Sequence, residues 1–293
     1  MEEKTVQVGN RTIRYLEEGT GQPLILLHGA SLGSSADSFT RNLASLATAG
    51  IRAIAVDRPG YGLSDGPSTA SPTSHQQFVL DFMDALGLDR AVLVGHSQQA
   101  SVVAALALDR PDRVPRAVIV GPGLLPPPAS GGGREEGEHL EGEPTLEWTR
   151  DQLKANLYNH DLITPEALEV RNRMSKGKAF ANYLARSAGA PNGRLPEPPG
   201  RTAAGGASMQ IAPTAVGTAD LWKRVGNEPD RLLMLVGRQD RATTAEQADL
   251  AHQMFPNLRL VDYEGCRHLV HWDQADDFAR QVIAFVSAGA AVV

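Results

Sequence analysis

Four short apolar runs in the first 123 residues, at 24–27, 51–56, 91–94 and 117–120, alternate with segments of helical periodicity. That alternation leaves few folds open. Runs so short and so uniformly apolar suit strands buried on both faces. Between them, Phe39, Leu43, Leu46 and Ala47 lie at helical spacing within 39–49, as do Phe78, Phe82 and Leu86 within 77–86, and Gly50 and Gly87 stop the two segments. A third helix is expected over 100–108. Residues 6–8 and 12–17 read as a hairpin around Gly9-Asn10. Strand and helix in turn predict an α/β fold: a mostly parallel, eight-stranded sheet with right-handed crossovers, flanked by helices.

The pattern breaks over 124–145, which holds three consecutive prolines, three consecutive glycines and a run of glutamates. Such a composition cannot pack a core and is expected to be a mobile surface loop. Residues 146–186 read as helices, started at Thr149 and again at Thr164-Pro165, and a second Gly/Pro-rich stretch covers 188–206. Strands return at 232–236 and 258–263, and a helix at 278–286 closes the chain. The expected plan is a core of 1–123 and 216–293 with an inserted helical lid over 124–215. Ligands of open parallel sheets bind beyond the carboxyl ends of the strands, and an insert leaving there would cover them.

Composition removes several functions. Lys and Arg number 28 against 34 Asp and Glu, a formal charge of −6, so nucleic acid is not an expected partner. The one cysteine, Cys266, can form neither an internal disulfide nor a zinc–thiolate cluster, and no metal or cofactor is expected. No stretch approaches the ~18 apolar residues of a membrane span. The start, Met1-Glu2-Glu3-Lys4, lacks the basic and apolar pattern of a signal peptide. The expectation is a soluble cytoplasmic protein acting on a small molecule, with homo-oligomerisation left open.

Chemistry is concentrated where strands end. The run 91–94 leads through Gly95-His96 into Ser97-Gln98-Gln99, and a helix follows at once. A serine on such a turn has its hydroxyl lifted above the sheet edge with a helix N-terminus behind it. Gly95 supplies the small residue that the crowded backbone needs, but the usual second glycine is Gln99, whose side chain could crowd the elbow or reach the pocket. Serine needs a base, and the base an orienting carboxylate. His268 follows the strand 258–263, and Asp240 follows 232–236, so both belong to the same rim as Ser97. Their order, nucleophile, acid, base, completes a candidate triad. The turn His28-Gly29-Ala30-Ser31 after the first buried strand can present the Ala30 amide beside that of Gln98 as an oxyanion hole. His28 and the turn Asp57-Arg58-Pro59-Gly60-Tyr61-Gly62 read as scaffolding, and His75, His139, His160 and His252 as surface or core residues.

With His28-Gly29, the 57–65 turn, the Ser97 elbow and the late Asp240 and His268, nearly the whole chain resembles the α/β-hydrolase-fold superfamily. Within it, 118–123, the helical stretch 157–171 and His268-Leu269-Val270-His271-Trp272-Asp273 resemble the meta-cleavage product hydrolases. Those enzymes cut carbon–carbon bonds in vinylogous 1,5-diketones from aromatic ring fission. The resemblance implies that Arg171 binds the substrate's carboxylate and oxo groups, and that Ser31, His96, Leu269 and Trp272 line the pocket. Four features depart from that family. His96 replaces the usual Asn before the nucleophile, Ser31-Leu32-Gly33 replaces Gly-Pro-Gly, Leu269 replaces an aromatic residue, and 124–145 differs from the family's lid. A carboxylesterase or lactonase with the same triad is therefore the alternative, and a non-catalytic binding protein on the same scaffold a third reading.

Overall fold

The computed structural model describes residues 1–66, 72–122, 140, 142–187, 218–226, 228, 230–240 and 245–290. Eight strands form one sheet: β1 (Glu2–Val8), β2 (Arg11–Glu18), β3 (Gln22–Leu27), β4 (Ile51–Val56), β5 (Val92–His96), β6 (Ala117–Val120), β7 (Leu232–Gly237) and β8 (Arg259–Tyr263). Their spatial order is β1-β2-β4-β3-β5-β6-β7-β8. The β1–β2 and β2–β4 ladders are antiparallel and all the others parallel.

Alternate strand residues feed two separate cores, which is why the runs are apolar at nearly every position, Arg52 of β4 excepted. Ile25, Leu27, Ile54, Val56 and Leu93 pack with Phe78 and Phe82 of α2 (Pro72–Ala85), Val103 of α3 (Gln98–Asp109) and Leu221 of α7 (Thr218–Val225). Leu24, Leu26, Ala53, Ala55 and Val94 face the other way. They meet Leu43 and Leu46 of α1 (Thr40–Thr48) and Phe278 and Phe285 of α10 (Ala275–Ala290). Phe82 and Phe278 are wholly buried, and each such side chain contributes about 2–3 kcal/mol by leaving water.

Helices α4 (Leu146–Asn156), α5 (Pro165–Arg173) and α6 (Lys178–Ser187) lie against the loops that leave the carboxyl ends of β3, β4 and β8. The first of them begins at Leu146, where the sequence places the start of the helical stretch, but its cap is not the expected one. Thr145 caps it, its Oγ1 accepting the Trp148 N–H at 3.1 Å, whereas Thr149 is buried inside the helix and hydrogen-bonds back to the Thr145 carbonyl. Thr164 caps α5 as expected, accepting the Ala167 N–H at 3.2 Å. The sequence predicts no helix at α7, α8 (Ala245–Met254) or the short α9 (Val270–Asp273). The expected lid boundaries at 124 and 215, and all but a few residues of 124–145 and 188–206, lie outside the described residues. Among the described residues, no helix is long and apolar enough to cross a membrane.

Candidate active site

Ser97 sits between β5 and α3 with φ 57° and ψ −119°, and among the described residues it alone has a positive φ without being glycine. Such a conformation costs roughly 1–3 kcal/mol and persists only where the surroundings enforce it. Here the Ser97 N–H donates to the Val120 carbonyl at 2.9 Å and its own carbonyl accepts from Ala100 N–H at 3.0 Å. The turn is closed so tightly that a Cβ on Gly95 would collide with the Gln99 carbonyl and lie 2.7 Å from Val103 Cγ2. The Gln99 side chain points away from this crowding. It is fully buried toward α2, its Nε2 3.2 Å from His75 Nδ1, and so lines no part of the pocket rim.

His268 and Asp240 meet as the sequence implies. His268 Nδ1 lies 2.8 Å from Asp240 Oδ2, with both residues buried, so Nδ1 carries the proton and Nε2 is left as the basic nitrogen. Gly237 makes this approach feasible, because a Cβ there would strike the Cys266 and Arg267 carbonyls. Two contacts hold His268 against residues next to the elbow. The His96 ring, adjacent to Ser97 in the chain, donates from Nε2 to the His268 carbonyl at 3.0 Å. Gly121, next to the Val120 carbonyl that holds Ser97, leaves room for the His268 ring, which a Cβ would meet at 3.4 Å.

The turn after β3 folds over the same point. A Cβ on Gly29 would lie 3.0 Å from both Ser97 Cβ and His96 Nδ1, so Ala30 follows at the edge of the elbow. The Ala30 carbonyl accepts from the Tyr61 hydroxyl at 3.2 Å. Gln98 is the first residue of α3, where the amide has no partner within the helix, and its side chain accepts from Arg58 Nη1 at 3.3 Å. His28 is scaffolding. Its Nε2 accepts the Arg58 N–H at 3.1 Å, which places the proton on Nδ1, and Nδ1 donates to the Gly29 carbonyl at 2.8 Å. Asp57 is equally structural, binding the Ala36 and Leu63 amides and Arg14. Ser31 is exposed.

Behind the base lies a cluster of neutral imidazoles. The His96 ring is 4.7 Å from His268 and 4.9 Å from His271, which also packs 4.6 Å from Phe39. Burial pushes His28 and His96 well below the ordinary imidazole range, and the neighbouring positive charges act in the same direction. His271 is driven down from 6.5 to about 3, by burial first and then by His268 and Arg171. Neither of its ring nitrogens has a partner among the described residues. Below pH 6.5 the unfolded chain binds protons at these rings and the native protein does not, so the stability they confer is complete above 6.5 and lost as pH falls toward 3. His271→Leu removes the unpaired polar ring, and is expected to raise the melting temperature by about 2 °C and to flatten its decline between pH 6.5 and 4. Calorimetry across that range checks both.

Arg171, near the end of α5, is 9% exposed and has no carboxylate partner among the described residues. Burial lowers its guanidinium to about 10, so it stays charged at neutral pH. It packs on Gly33, whose φ of 81° and missing Cβ admit it, and its charge is felt at His28, His96 and His271. Arg171 and Trp272 share the wall of a cavity of about 220 Å³ with Gly33, Ser38 and Val170. The Trp272 indole donates to the Ser38 carbonyl at 2.7 Å. Leu269 instead packs with Leu153, Leu157 and Leu168 of the helical segment.

A family model described as alpha/beta hydrolase fold matches residues 22–275. The chain belongs to that family. This α/β hydrolase is 27% identical to a 2-hydroxy-6-oxo-6-phenylhexa-2,4-dienoate hydrolase of Burkholderia cepacia, an alignment covering 96% of the chain and 93% of that enzyme. It is 28% identical to a 2-hydroxy-6-oxononadienedioate/2-hydroxy-6-oxononatrienedioate hydrolase of Burkholderia vietnamiensis, over 94% of the chain and 90% of the relative. Among solved structures, a meta-cleavage product hydrolase from Pseudomonas fluorescens superposes with a TM-score of 0.75 at 25% identity, covering 98% of both chains.

Proposed function

We propose that the protein is a cofactor-independent serine hydrolase that cleaves a carbon–carbon bond in an acidic, ring-fission-type diketone. Ser97 attacks the carbonyl or activates water, His268 relays the proton, Asp240 holds the imidazole, and the Ala30 and Gln98 amides receive the negative charge that develops on oxygen. A dienol substrate must first take a proton on carbon to become the ketone. Water then adds across the broken bond, leaving a carboxylic acid and an enol fragment. Helices α4–α6 act as the lid over this site, within an insertion of about 124–215.

The observation that carries the substrate class is Arg171, a buried guanidinium without a carboxylate partner among the described residues, lining a cavity beside Trp272. A substrate carboxylate would complete it in bidentate fashion. Arg171→Leu is therefore expected to lower kcat/KM on 2-hydroxy-6-oxo-6-phenylhexa-2,4-dienoate about 100-fold, the effect of losing a charged hydrogen bond of 1.5–3 kcal/mol, with p-nitrophenyl butyrate turnover nearly unchanged. The same paired assay on the unsubstituted enzyme tests the function itself. Bleaching of the dienoate much faster than ester turnover supports the carbon–carbon reading, and ester cleavage with an untouched dienoate overturns it. His96 and Leu269, which depart from the carbon–carbon enzymes, favour the second reading, a carboxylesterase or lactonase. A small-molecule substrate, action in the cytoplasm, and no nucleic acid or membrane as partner belong to the same proposal, and self-association stays open.

A further inference from the structure

The loop that presents His268 is tied to the helical segment beside it, and the ties converge on one carboxylate. Asp273 ends the short helix α9 (Val270–Asp273). Its Oδ2 accepts the Arg267 N–H at 2.9 Å, from the residue immediately before His268. The same carboxylate accepts the Tyr158 N–H at 2.9 and 3.1 Å and the Asn159 N–H at 3.0 Å, in the stretch between α4 and the 3-10 turn His160–Leu162. Two flanking bonds run the same way: Leu269 N–H to the Asn156 carbonyl at 3.1 Å, and Arg267 Nη1 to the Lys154 carbonyl at 2.9 Å. Leu269 and Trp272 fill the space beneath them with Leu153 and Leu157.

We propose that Asp273 is a positioning residue that registers the base with the lid, a role that rests on the serine-hydrolase reading above. Three backbone amides on two chain segments share its oxygens, so the placement of residue 267, and with it His268, follows the placement of residues 158 and 159. A carboxylate suits this task because it offers two oxygens and only acceptor sites. An asparagine would offer one oxygen and turn an NH₂ toward an N–H. Misplacing a catalytic base by about 1 Å costs up to 100-fold in rate.

The test uses the full chain, with labelling of Ser97 by a fluorophosphonate between about pH 5 and 9 as the readout, beside thermal melts. Asp273→Asn is expected to slow labelling ten- to a hundredfold at neutral pH and to move the inflection set by His268, with partial recovery in Asp273→Glu. A second pair addresses the amides without touching the carboxylate. Asn159→Pro deletes the N–H at a residue whose φ of −89° is near proline's range, and Asn159→Ala removes only the side chain that caps the next turn. Slower labelling in the proline variant than in the alanine variant supports the proposal and decides it if Asp273→Asn does not fold. Equal rates in that pair, or a folded Asp273→Asn protein with the labelling rate and inflection of the unsubstituted chain, would overturn it. Absence of labelling in the unsubstituted protein overturns the serine reading itself, a separate and recognisable result.

Discussion

Replacing Ser97 with alanine is expected to cut kcat by about 10⁴- to 10⁶-fold on whichever substrate the enzyme turns over, and to leave the fold unchanged. The loss follows from chemistry, because Ser97 is the residue whose hydroxyl stands on the elbow between β5 and α3, where the Gly29 turn and the His268 loop converge. Conservation of the fold follows from geometry. Alanine carries the same Cβ at φ 57°, and the bonds that enforce the turn, Ser97 N–H to Val120 and Ala100 N–H to the carbonyl of residue 97, are backbone bonds. Residual turnover would come from the oxyanion amides and substrate binding alone. Steady-state rates with a melting curve beside them check both halves, and turnover near that of the unsubstituted protein would remove Ser97 from the mechanism.

Asp240→Asn should be nearly as damaging, about 10⁴-fold in kcat at neutral pH, with the site's geometry preserved. Asp240 Oδ2 receives the Nδ1 proton of His268 at 2.8 Å and so leaves on Nε2 the lone pair that the proposed mechanism needs. An amide of the same shape can turn its NH₂ to Nδ1, which moves the proton to Nε2 and leaves no base where one is needed. The imidazolium formed during the reaction also loses its counter-charge. Fluorophosphonate labelling of Ser97 should slow in parallel with turnover, since both require the same base. Labelling that stayed fast while turnover collapsed would place Asp240 in a later step instead.

The parts of this site that were legible in sequence are those that follow buried strands. Ser97 and Asp240 could be located because an unbroken apolar run ends just before each of them, the mark left by uniform burial of a parallel strand, whereas His268 follows the mixed, partly exposed run of β8. Positions set by side chains reaching across the fold left none. That Gln99 turns toward His75, that His271 is buried without a partner and that Asp273 gathers three amides all depend on what stands opposite, which local spacing does not encode. Thr145 and Thr149 are both capping residue types, and Thr149 does not cap because it enters the interior beside Asn172. α7 and α8 span only eight and ten residues, shorter than the window over which helical spacing of apolar side chains is read.

The base hangs from the rim of the sheet. Among the described residues β8 pairs only with β7, and its residues are mostly half-exposed, whereas β5, which leads into Ser97, is buried throughout and bonded on both sides. Amide protons of β5 should thus exchange only on global unfolding, and those of β8 through smaller local openings. Each such opening withdraws His268 from Ser97 while the rest of the sheet stays intact. In the proposed mechanism the base is thus carried by an edge strand, and the clasp on α4–α6 is placed where it opposes that fraying.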